Sequence, residues 1–232
     1  MKSQLNIISK ALFALICLLF ASCNEDEVGT NAIVKDIDGN IYHTVTIGTQ
    51  TWMVENLKTT KFRDGSSIPN VTNNNDWTNY GAMNKGAYCD YNNMDSYSNT
   101  YGRLYNWYAV TNERNICPPG WHVPSSAEWE TLISFLGGKT EAGGAMKEKG
   151  TTHCIGQNNG GTNSSGFTAL PGGCRQIESG MYYGNGVSCA WWSSSQINEQ
   201  TAWYCQLYFD QTSINKMDFD KAAGCSIRLI KD

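Results

Sequence analysis

Charge is scarce in this sequence: Asp, Glu, Lys and Arg together make up 16% of 232 residues, histidine occurs three times and proline five. The few charges sum to −4, and to −6 once the segment holding Lys2 and Lys10 is set aside, so a nucleic-acid partner, which needs a basic footprint, is excluded. No CxxC or HxxxH spacing occurs, and three histidines are too few for an ordinary zinc site. The GxSxG, Walker and HExxH signatures are missing too, and with them the commonest hydrolase, nucleotide and metalloprotease readings. No Pro- or Ser-rich linker divides the chain, so one domain is expected. What is abundant is Gly (23), Tyr (12) and Trp (8), a mixture that suits a loop-rich, largely β, exported domain whose aromatic side chains supply the burial.

The longest apolar run, Ala11–Phe20, is too short to cross a bilayer and has the length of a secretory signal core. Phe20-Ala21-Ser22-Cys23 resembles the cleavage box of bacterial lipoproteins. That implies a signal peptide over 1–22, acylation of Cys23, and anchoring to outer-membrane lipid; an ordinary secretory cleavage near Ala21 is the alternative. Residues 23–32, with Asn24-Glu25-Asp26-Glu27, read as an acidic tether that either exports the protein to the cell surface or serves as a solvated linker. Apart from Cys17 and Cys23, the cysteines are Cys89, Cys117, Cys154, Cys174, Cys189, Cys205 and Cys225, an odd set that an exported chain can oxidise.

Asp38-Gly39 between two β-prone runs signals a hairpin, with strands near Ile33–Ile37, Tyr42–Ile47 and Thr51–Val54. From Phe62 to Asn99 the Asn-, Asp-, Gly- and Tyr-rich composition predicts long ordered loops. A short helix is expected within Gly102–Val110. The stretch CPPGWHVPSSAEWETLISFLGG (117–138) restricts φ at Pro118, Pro119 and Pro124 and then opens a helix near Ser126 with the capping box Ser125/Glu128. Trp129, Leu132, Ile133 and Leu136 form its apolar stripe and Gly137-Gly138 ends it, so the stiff entry aims a helix at a sheet. His122 reads as a hydrogen-bonded packing residue.

After the Gly/Asn/Ser/Thr tract 151–166, the last third reads as strands. In Thr201–Phe209, alternation places Trp203, Cys205, Leu207 and Phe209 on the core face and Tyr204, Gln206 and Tyr208 outward. Cys225, Ile227 and Leu229 form another buried face, so Cys205 and Cys225 are either a disulfide or two packed thiols. Trp191 and Trp192 read as core.

The blocks DIDGNIYHTVTIGTQTWMVENLKTTKFRDGSSIPNV, TYGRLYNWYAV, CPPGWHVPSSAEWETL, NSSGFTALPGGCR, AWWSSS and GCSIRLIKD resemble, in order, those of the Fibrobacter succinogenes major paralogous domain, over residues 33–232. The resemblance implies an α+β, C-type-lectin-like fold: a twisted antiparallel sheet, two flanking helices and long irregular loops. Its disulfides do not transfer, because Leu229 stands where relatives often carry cysteine, and Cys174 and Cys225 where they carry an aromatic. A lectin-type calcium site would need a carboxylate–proline–amide motif and a Trp-Asn-Asp motif, and neither occurs; Asp90, Asn92 and Asp95 are the remaining calcium candidates, set against simple Asx turns. Formylglycine-generating enzymes share such a core and use cysteines, but a buried thiol is inert without a cation to lower its pKa, so an oxidase ranks last and no enzyme activity or cofactor is expected. The expected function is a surface-exposed recognition module for a glycan or protein ligand, with Tyr204, Gln206, Tyr208, Asp210, Ser213, Asn215, Lys216 and Asp218 as its surface. The alternative is an accessory structural subunit of an outer-membrane complex.

Overall fold

The computed structural model describes residues 33–177 and 180–232. The signal segment 1–22, Cys23 and the tether lie outside the described residues.

Asp36 and Gly39 start the fold. The Asp36 carboxylate accepts from the Asp38 and Asn40 backbone N–H groups, and Gly39 takes φ +84°, closing a turn between β1 (Ile33–Lys35) and β2 (Ile41–Ile47). β3 (Gln50–Met53) pairs next, giving the three expected strands. The segment read as loop is more ordered than its composition suggested. It holds α1 (Asn74–Ala82), β4 (Tyr88–Cys89) and α2 (Asp95–Tyr101), followed by β5 (Leu104–Tyr105) and α3 (Trp107–Val110). Caps explain the difference for α1: the Asn73 side chain accepts from Asn75 and Asp76 N–H, and a single large side chain, Trp77, docks the helix, donating from Nε1 to Ala222 O at 2.7 Å. A helix anchored by one tryptophan leaves no apolar period to read.

β6 (Trp121–His122) leads into α4 (Ser126–Phe135), where both halves of the Ser125/Glu128 capping box form. Trp129, Leu132 and Ile133 are buried, and Gly137 and Gly138 leave the helix at φ +97° and +88°. Then follow α5 (Ala142–Met146), β7 (Gly172–Arg175), β8 (Tyr182–Asn185), β9 (Ser188–Gln196), β10 (Thr201–Tyr208), β11 (Ile214–Asp220) and β12 (Ile230–Lys231).

The architecture is mixed α/β. Among the described residues there are two five-stranded sheets, ordered β1-β2-β3-β12-β6 and β11-β10-β9-β7-β8, plus the β4–β5 ladder. The expectation of one antiparallel sheet with two flanking helices is therefore corrected: β7 pairs β9 in parallel, and the described residues hold five short α-helices. The inner strands β9 and β10 of the second sheet are buried on both faces. Cys189, Trp191, Cys205 and Leu207 join the cluster that holds Trp52, Trp129 and Phe167, while Ala190, Trp192, Ala202 and Tyr204 join the one that holds Tyr42, Leu57 and Tyr105. Trp191 and Trp192 are both fully buried, as expected.

The seven described cysteines are free thiols, so the Cys205–Cys225 bridge is not formed. Cys205 belongs to the first of those clusters and Cys225 to the second, which places them on opposite sides of the sheet.

Charge crosses this core as cations without carboxylates. Arg228, 1% exposed, donates to Met53 O, Phe167 O and Asn56 Oδ1, and its guanidinium lies 4.3 Å from the Phe167 ring centre. Burial pulls its pKa down to about 9, which leaves it protonated at neutral pH. Lys147 is caged by the carbonyls of Asn159, Phe209 and Gln211, tying the tract after α5 to the β10–β11 turn.

Candidate functional site

Helix α4 is docked on the far end of β9 by two polar contacts: Ser126 N–H donates to Ser195 Oγ at 3.0 Å, and Ser194 N–H to Pro124 O at 2.9 Å. Its apolar stripe faces the sheet, so Glu130, Thr131 and Ser134 are left on the outer side. The register of β9 against β10 shifts between Ala202 and Tyr204, so that Ser193–Ser195 stand opposite Trp203 alone. An open groove of about 820 Å³ results, walled by α4 on one side and by Trp203 and Lys216 on the other, with Ser126, Ser134 and Ser195 offering hydroxyls.

Trp203 is half-buried and forms the groove's aromatic wall. The Lys216 ammonium sits 5.2 Å from its ring centre and bonds Glu130 Oε2 at 2.9 Å. Glu130 is 57% and Lys216 27% exposed, so the pair is wet, exchangeable and of little weight in stability. Chemically the groove offers one π-face, hydroxyl donors and acceptors, and one charge of each sign within reach of a polar ligand.

The sequence-predicted surface is divided. Tyr204 and Gln206 are 7% and 6% exposed, and the Tyr204 hydroxyl spends its proton on Gln206 Oε1 at 3.1 Å. Pairing opposite Gln206 puts Asn215 on that side of the sheet, whereas Lys216 opposite Cys205 and Asp218 opposite Trp203 lie on the α4 side. Tyr208 is half-buried, and Asp210 and Ser213 lie in the β10–β11 turn. Of the eight, Lys216 alone lines the groove. The strand alternation places Trp203 in the core, and nothing in the sequence gives Glu130 a role. The triple serine 193–195 was the available signal, because short polar side chains facing a tryptophan near a strand end mark an irregular, solvated edge.

Among the calcium candidates, Asp90 is ion-paired with Arg103, while Asn92 sits at φ +52° and Asp95 opens α2. A positive φ at asparagine is the mark of a turn, so local chain geometry accounts for this cluster. Among the described residues no group of three or more His, Cys, Asp or Glu is placed to hold a metal ion. The thiols are held in their neutral form. Burial pushes Cys117 up to about 12, and Cys154 and Cys174 to about 11, while Cys189, Cys205 and Cys225 are raised further by the same cause. The protonated His122 ring donates from Nδ1 to Asp232 and from Nε2 to Glu128 at 2.7 and 2.8 Å, a packing role that ties the end of β6 to the start of α4.

Residues 45–231 match the sequence model of the Fibrobacter succinogenes major domain. No curated protein and no solved structure matches the chain.

Proposed function

Because the chain belongs to the Fibrobacter succinogenes major domain family, we propose that it is a non-catalytic recognition module that takes a glycan in the groove between α4 and the β10–β11 edge. The observation that carries this reading is the half-buried Trp203 ring set among serine hydroxyls and the Glu130–Lys216 pair. A sugar ring presents an apolar C–H face and a polar rim, and the groove offers a counterpart to each. Raised thiol pKa values argue in the same direction, since none of the described cysteines is prepared as a nucleophile. The C-type-lectin-like affiliation belongs to the same proposal, as do acylation at Cys23, anchoring in outer-membrane lipid and cell-surface exposure.

Trp203→Ala is the direct test. Glycan-array signal for the best wild-type ligand should fall by about tenfold or more, the scale of a lost aromatic contact of 1–3 kcal/mol. Thermal stability should change little. Unaltered glycan binding in this variant would remove the groove from consideration.

A second reading, the accessory subunit of an outer-membrane complex, has its own support. β1 is an edge strand, and Ile33 on it and Ile41 on the neighbouring β2 are 59% and 47% exposed. Stoichiometric copurification of a membrane partner from mild detergent, lost in Ile41→Lys, would favour it; elution alone would count against it.

A further inference from the structure

The proline-rich stretch before α4 does more than aim a helix. Arg63 fastens it from the side: its backbone N–H donates to Asn115 O at 2.7 Å, its Nε to Cys117 O at 2.8 Å, and its Nη2 to Pro118 O at 3.2 Å. Pro118 and Pro119 fix their own φ, so this loop is held in one shape before anything binds. With the end of β1 it encloses a cavity of about 280 Å³ that shares no lining residue with the Trp203 groove.

The walls are apolar and the fixed charge is positive. Ile37, Ile116 and Pro119 contribute hydrocarbon, and Lys35, Lys61 and Arg63 contribute three cations. Asp36 also lines the cavity, but its two oxygens already accept from Asp38 N–H, Asn40 N–H, the Asn40 amide and the Tyr42 hydroxyl. Lys61 is paired with Asp38 at 3.0 Å. Lys35 and Arg63 have no carboxylate partner among the described residues. Cys117, buried and neutral, adds only an apolar surface.

An apolar cavity of about 150 Å³ accepts a benzene ring, so this one has room for a ring and a short tail. A preformed pocket of hydrocarbon with unneutralised cations suits an anion that carries an apolar body, and binding costs no ordering of the loop. We infer that this cavity binds a small organic carboxylate, with its ring or branched chain against Ile37, Ile116 and Pro119 and its carboxylate meeting Lys35 and Arg63.

The test uses the full chain and 3-phenylpropionate as probe, with 3-phenylpropan-1-ol as the uncharged control, followed by calorimetry at low salt. The acid should bind about tenfold tighter than the alcohol, and Lys35→Gln should weaken the acid about fivefold while leaving the alcohol unchanged, the scale of one exposed ion pair. Ile37→Asp, at a position 49% exposed and therefore safe for folding, should abolish binding of the acid; near-ultraviolet circular dichroism verifies that the fold is intact. Trp203→Ala should leave the affinity for the acid as it was, which separates this site from the glycan groove. Equal binding of acid and alcohol, wild-type affinity in both Lys35→Gln and Ile37→Asp, or loss of binding in Trp203→Ala would each overturn the assignment.

Discussion

Single side chains carry unusual weight where a buried cation replaces a salt bridge. Arg228 satisfies Met53 O, Phe167 O and Asn56 Oδ1 at once, and Asn56 Oδ1 also accepts from Trp191 Nε1. Arg228→Ala strands these acceptors and opens a cavity beside Phe167, so a loss of about 3–5 kcal/mol is expected, read as a lowered urea midpoint. Arg228→Met strands the same acceptors but keeps most of the volume and removes the desolvated charge, so it should cost less. Tyr204 and Gln206 teach the complementary lesson. Their polarity suggested an outward face, yet each supplies the other's hydrogen bond and both are covered. A polar residue pair two apart on a strand is therefore ambiguous in sequence, since mutual satisfaction makes burial as cheap as exposure.

Elements were legible where a local rule fixes them. The Asp38-Gly39 turn, the Ser125/Glu128 box and the Gly137-Gly138 stop depend on neighbours a few residues apart, and all three are present. α1 was not legible, because an asparagine cap and one docking tryptophan leave no repeating pattern, and α2, with Ser98 as its buried residue and no side-chain cap, offers no apolar stripe at all. Ser125→Ala should remove about 1 kcal/mol of stability by urea titration. The same helix start titrates. Partial burial works against the His122 charge, but hydrogen bonds to Asp232 and Glu128 outweigh it and raise the imidazole pKa; burial likewise opposes the Glu128 charge, and Ser125 and His122 reverse that to lower it. A raised histidine pKa stabilises the fold below the unfolded value of about 6.5 and loses that contribution as pH climbs through the folded value. The melting-temperature gap between wild type and His122→Gln should therefore be widest in mild acid and should close above neutrality. It should also narrow in strong acid, as Glu128 protonates. A pH-independent gap would show that the ion pairs contribute nothing.

Across the whole molecule, the second sheet stands between two packed layers, and this was the feature hardest to read. Trp203, Cys205 and Leu207 alternate with Ala202, Tyr204 and Gln206, and a strand covered on both sides offers two part-apolar sets where pattern reading expects one. The open groove lies where the register of β9 slips beside the start of α4. Trp191→Ala, at the centre of the layer beneath α4, should cost about 3–5 kcal/mol, a large share of the 5–15 kcal/mol typical of a domain. Lys147→Met should act elsewhere, speeding amide exchange across 154–161 without matching that global loss.

The two-sided burial of β10 also limits how such a chain can diversify. Adding or deleting one residue within 201–208 would send every following side chain into the opposite layer, putting tyrosine where cysteine fits and leucine where glutamine finds its partner. Length can drift only in the turns at 197–200 and 209–213, outside the strands. New specificities on this scaffold should therefore arise by exchanging side chains along the groove walls and resizing those two turns, while the strand between them keeps a fixed count.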